Sequence, residues 1–101
     1  MRTDLLNLAL QLEATGRRLI EAPSRLELRR ELLADAQAMA DRADDDALPL
    51  FLRSLAKEAA SRAFRVAPAV EAADTPDLAR AVTDLVDALQ DLRLAVADGR
   101  A

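Results

Sequence analysis

Hydrophobic and polar positions between 77 and 98 recur every seven residues, as DLARAVT, DLVDALQ, DLRLAVA and a closing Asp98. Leu78, Leu85 and Leu92 hold one register; Val82, Leu89 and Val96 hold a second; Ala81, Ala88 and Ala95 hold a third. A helix advances about 100° per residue, so positions seven apart return to nearly the same side. The pattern predicts a helix over 76–98 with one apolar stripe of large and small layers, edged by Asp77, Asp84, Asp91 and Asp98. Such a stripe packs against other helices in coiled-coil fashion. Thr75 offers a cap, Pro76 a first-turn residue and Gly99 a stop.

Three earlier segments carry related patterns. Leu5, Leu8, Leu12, Thr15 and Leu19 predict a helix over 3–21, with Thr3 as its cap and Ala9 and Gly16 beside the stripe. Glycine costs about 1 kcal/mol against alanine inside a helix. Because Leu19 and Ile20 continue the stripe, Gly16 is read as a point of close approach rather than a stop. After Ala22-Pro23-Ser24, Ser24 and Glu27 form a capping-box pattern, which predicts a helix over 25–43 with Leu28, Leu32, Ala36, Met39 and Ala43 on one face. Asp44-Asp45-Asp46 supplies a cap and Pro49 a first turn for a helix over 48–66, faced by Leu48, Leu52, Leu55, Ala59, Ala63 and Val66. Pro68 is expected to end it, leaving 67–74 as the longest connection, with room for one helical turn at 70–73. Short connections make successive helices antiparallel neighbours. The expected fold is therefore all-α, an antiparallel up-down-up-down four-helix bundle with coiled-coil-like packing, one domain over 1–101. The alternative is a pair of helical hairpins that completes its core by dimerising.

Composition agrees with this class. The chain has 101 residues and no Cys, His, Trp or Tyr, with Phe51 and Phe64 its only aromatics. No stretch alternates β-branched residues, which excludes a sheet protein. An apolar fraction of 51% argues against disorder. No apolar run reaches the roughly 18 residues that a membrane span needs, and the N-terminus reads as no signal peptide, so the expected location is the cytoplasm. Arginine outnumbers the single lysine, Lys57, and alanine is abundant, which points to a GC-rich bacterial genome. A net charge of −4 turns the reading away from nucleic acid as the main partner.

The chemistry-bearing residues are sparse. Without His or Cys, and without a nucleophile elbow, phosphate loop or metal-ligand spacing, the chain is read as no enzyme, with no cofactor and no metal. Asp84, Asp87 and Asp91 share one side of the last helix, but positions seven apart lie about 10.5 Å apart along the axis. They are read as a solvated edge relieved by a cationic neighbour. Arg17, Arg18, Arg25, Arg29 and Arg30 gather at one end of the bundle, where they could hold phosphates. Glu21, Glu27, Glu31 and Glu71 at that end favour ion pairing instead. Ala81, Ala88 and Ala95 mark a close helix contact, either with the first helix through Ala9 and Gly16 or with a second copy. Leu6, Leu10, Leu50 and Leu94 depart from their stripes and fall at the other end, near Asp44, Asp45 and Asp46. They are read either as an interface patch or as two leucines absorbed by a wide core and two scattered at the surface. The expected function is a protein-interaction or assembly module acting through helix packing. Its partner would be itself, as a homodimer, or an unidentified protein, with no membrane role. The alternative is an accessory subunit of a nucleic-acid-binding complex that uses the arginine-rich end.

Overall fold

A computed structural model of the chain describes residues 2–72 and 75–98. It contains four helices: α1 (Arg2–Glu21), α2 (Leu26–Ala43), α3 (Leu50–Glu71) and α4 (Thr75–Ala97). They form an all-α four-helix bundle. Its long dimension is 39 Å and its cross-section 19 × 17 Å. A helix of α4's length spans about 35 Å, so the helices run along the long axis and stand two by two across it. In the ring, α1 packs on α2 and α4, and α3 packs on α2 and α4, while α1 and α3 meet only across the diagonal.

The apolar registers become one shared core. On α4, Leu78, Val82, Leu85, Val86, Ala88, Leu89 and Leu92 are buried, so its stripe is covered through three heptads. Leu5, Leu12 and Leu19 of α1 meet them from one side. Leu28, Leu32, Ala36, Met39 and Ala43 are buried on α2, and α3 contributes Leu52 and a run of alanines. The hydrophobic effect scales with apolar area removed from water, so these registers carry most of the stabilisation.

The helix ends depart from expectation. α1 begins at Arg2, which puts Thr3 inside the helix rather than at its cap. The N-cap of α2 is Arg25, not Ser24, and no side chain caps it. Ser24 sits instead in a turn closed by the Arg25 amide on the Ala22 carbonyl at 3.1 Å. The Glu27 carboxylate that a capping box would use meets the Arg25 guanidinium at 3.3 Å. No aspartate caps α3 either. Pro49 holds that position, and its carbonyl accepts from the Arg53 amide at 3.0 Å. The acidic triplet builds the connection: Asp45 accepts from the Ala47 amide at 2.9 Å through its carboxylate and from the Leu48 amide at 3.0 Å through its carbonyl. Leu48 lies outside the helix, as a residue before proline tends to, yet its side chain still reaches the core.

Pro68 does not end α3, which continues to Glu71. Proline lacks the amide that would bond the residue 64 carbonyl, but it blocks nothing downstream. The Ala72 amide bonds the Pro68 carbonyl at 2.9 Å, Ala69 and Val70 pack against the core, and Glu71 pairs with Arg29 of α2. Packing and this tether hold the last turn that the local rule gives away. The stop at Gly99 and any capping by the Thr75 side chain lie outside the described residues.

The small residues of α4 meet a different partner from the one expected. A Cβ on Gly16 would stand 3.4 Å from Val82 Cγ1 and 3.7 Å from Leu85 Cδ2, so α1 faces the Val82–Leu85 side of α4. Arg62 of α3 donates to the Asp84 carbonyl at 2.8 Å. Ala81, Ala88 and Ala95 lie on that Asp84 side of the helical wheel. The stripe therefore turns toward α3, where Ala59 and Ala63 are buried on the side nearer Arg62. Gly16 of α1 does come within van der Waals reach of α4, but at Val82 and Leu85 rather than at the alanine register.

Candidate interaction surfaces

Leu94, near the end of α4, is 70% exposed. It lines a depression of about 490 Å³ with Leu6, Gln90, Arg93 and Ala97, on the flank between α1 and α4. Leu10, 43% exposed, stands one helical turn beyond Leu6 on the same side of α1. Arg93 bonds Glu13 across the groove at 3.3 Å. Three of the four off-stripe leucines thus share one flank.

Leu50 does not join them. At 74% exposure it is the most open large apolar side chain among the described residues. It lines a depression between α2 and α3 with Ala43, Asp44, Arg53, Ser54 and Lys57. In the ring of helices, the α2–α3 flank lies opposite the α1–α4 flank. The single four-leucine patch expected from topology is therefore two surfaces at one end. Axial position follows from topology alone, whereas the side of the bundle depends on how each helix is rotated against its neighbours.

The α2–α3 depression continues into a larger one of about 510 Å³. Ala40, Ala43 and Ala60 line it together with Phe64, Pro68, Lys57 and Arg65. Its alanine side chains leave room that larger ones would fill. Phe64 is 37% exposed and Pro68 is exposed. Sequence reasoning missed this groove, although Phe64 lying off the α3 stripe was a usable signal. Lys57 and Arg65 form no ion pair among the described residues. The acidic triplet borders this flank only: Asp46 meets Arg53 at 3.6 Å, Asp45 meets Arg42, and Asp44 lines both depressions.

The arginine-rich end is largely occupied by carboxylates. Arg17 lies 3.5 Å from Glu13 and Arg25 lies 3.3 Å from Glu27, while Arg29 is held by Glu71. Arg18 lines a shallow depression between α1 and α2 with Thr15, Glu31 and Asp35, and Arg30 is exposed. Of the five arginines, three would have to leave carboxylates to bind a phosphate. In the α1–α2 depression, partial burial raises the Asp35 carboxyl above its ordinary 3.8, and the nearby Glu31 charge adds to the effect.

On α4, Asp84, Asp87 and Asp91 are exposed, and their carboxylates form no ion pair among the described residues. The cation expected to relieve them is present nearby, but Arg62 bonds the Asp84 main-chain carbonyl instead. Among the described residues, no three acidic side chains gather as a metal site would need. No described helix is long and apolar enough to cross a membrane. Comparison with protein families, curated proteins and solved structures finds no match for this chain.

Proposed function

We propose that this chain is a non-enzymatic association module that works through helix packing, with a second copy of itself as the first partner. The observation that carries the reading is the exposure of Leu50 and Leu94, at 74% and 70%. Leu94 stands beside an apolar depression with Leu6 and Ala97, and Leu50 beside one that Ala43 lines together with Asp44, Arg53, Ser54 and Lys57. A scattered exposed leucine is ordinary. Two such leucines at one end, accompanied by Leu6, Leu10 and Phe64 on their respective flanks, form surfaces of the kind that partners bury. The bundle fills its own core with other residues, so these side chains are spare for contact. The arginine-rich end supports a phosphate-binding role less well, because Arg17, Arg25 and Arg29 face carboxylates.

Light scattering over a concentration series tests the proposal, with circular dichroism as the fold control. The wild type is expected to gain mass with concentration. The Leu50→Glu, Leu94→Glu double variant is expected to stay folded and monomeric, since a carboxylate buried at an interface without a counter-charge is costly. A wild type monomeric throughout would remove self-association. A folded double variant that associates like the wild type would remove these two leucines from the interface.

A further inference from the structure

We propose that the groove between α2 and α3 receives the outer face of α4 from a second copy, so that copies join head to tail. This rests on the self-association proposed above and names its surfaces. The two faces are opposite in charge. The groove carries Lys57 and Arg65, which outnumber the single acid Asp44 on its wall and form no ion pair among the described residues. The outer face of α4 carries Asp84, Asp87 and Asp91, whose carboxylates form none among the described residues either. Their spacings correspond. Lys57 and Arg65 stand about 12 Å apart along α3, and Asp84 and Asp91 about 10.5 Å apart along α4. The apolar parts correspond as well. Leu94 projects from α4 beside Asp87 and Asp91, and the groove offers a volume of about 510 Å³ lined by Ala40, Ala43, Ala60 and Phe64. Like charges on one surface repel, and an opposite surface relieves both partners at once.

The arrangement has a geometric consequence. In the ring of helices, α4 stands diagonally across from α2, so its outer face looks away from the α2–α3 flank. One neighbour cannot fill the groove and also receive the α4 face of the same copy. The contact is heterologous, and each added copy leaves one groove and one α4 face open. Mass therefore grows past the dimer with concentration, or stops at a closed ring larger than two.

Molar mass is measured by light scattering at low and high salt for the wild type and two charge-reversed variants. These are Lys57→Glu with Arg65→Glu, and Asp84→Lys with Asp91→Lys; circular dichroism verifies their folds. The wild type is expected to exceed a dimer at low salt and to dissociate at high salt, where surface charges are screened. Each variant alone should associate at least roughly a hundredfold more weakly, because like charges then face each other. Mixed in equal amounts, the two variants should associate again, since each supplies the face that the other's groove requires. Variants that associate as the wild type does, a mixture that stays monomeric, or a wild-type mass that stops at two would overturn the head-to-tail contact while leaving self-association standing. A wild type monomeric in every condition would overturn both. A single-stranded oligonucleotide that binds the wild type one to one, and fails to bind the Lys57→Glu, Arg65→Glu variant, would assign the groove to phosphate and overturn this proposal.

Discussion

Replacing Gly16 with alanine is expected to stabilise the bundle. Gly16 is buried inside α1, with Val82 and Leu85 of α4 opposite. An added Cβ would meet only side-chain atoms: Val82 Cγ1 at 3.4 Å, Leu85 Cδ2 at 3.7 Å and Val82 Cγ2 at 3.9 Å. These are van der Waals distances, and each such contact contributes about 0.1–0.2 kcal/mol. The helix propensity of alanine over glycine adds about 0.8–1 kcal/mol, mostly by restricting the unfolded chain. The nearest contact lies at the short edge of the favourable range and offsets a few tenths. The net expectation is a gain of about 1 kcal/mol, equivalent to roughly 4–8 °C in melting temperature for a domain of this size. Urea unfolding followed by circular dichroism measures it, with the slope against denaturant checked for constancy. Gly16→Leu serves as the counterpart, since its extra carbons must displace Val82, and it should be destabilising by about 1–3 kcal/mol. A loss on Gly16→Ala would refute the reasoning. It would mean that α1 and α4 approach more closely than these distances state and that glycine is required at the crossing.

Other expectations follow from the same packing. Leu85→Ala should cost about 2–5 kcal/mol in a urea melt, since Leu85 is fully buried, while exposed Thr83→Ala should stay within about 0.5 kcal/mol; equal effects would mean α4 is turned differently in the core. Ala88→Leu should cost about 1–3 kcal/mol by overpacking the α3–α4 contact, and a neutral result would place Ala88 against a void or solvent. The raised Asp35 carboxyl binds its proton more tightly in the folded chain than in the unfolded one, so stability should fall as pH rises through the folded value. Asp35→Asn should therefore raise the unfolding midpoint at neutral pH and lose that advantage below the ordinary 3.8, whereas an advantage independent of pH would separate it from ionisation.

The fold was readable because its evidence is periodic and redundant. A register repeated through Leu78, Leu85 and Leu92 survives an error at any one position. The ends were harder to read because each depends on one competing contact. Glu27 could cap α2 or pair with Arg25, and it pairs; Pro68 could stop α3, but Val70 packs against the core and Glu71 is tied to Arg29. The surfaces were half legible. Topology alone places Leu6, Leu10, Leu50 and Leu94 at one end. Only the rotation of α3 and α4 against their neighbours sends Leu50 to one flank and Leu94 to the other. The alanine stripe of α4 behaved in the same way: its spacing put Ala81, Ala88 and Ala95 on one side, and the rotation of α4, seen through Gly16 and Arg62, turns that side toward α3.

The central claim is that Leu50 and Leu94 serve contact between molecules rather than the fold of one. Unfolding midpoints measured at low and high protein concentration separate the two roles, because association with the folded state raises apparent stability by mass action. The wild-type midpoint should rise with concentration. The Leu50→Glu, Leu94→Glu variant should match the wild type when dilute, within about 0.5 kcal/mol, and should show no rise when concentrated. A variant already unstable when dilute would contradict the account by making these leucines part of the fold. A wild-type midpoint independent of concentration would contradict it by removing the second copy.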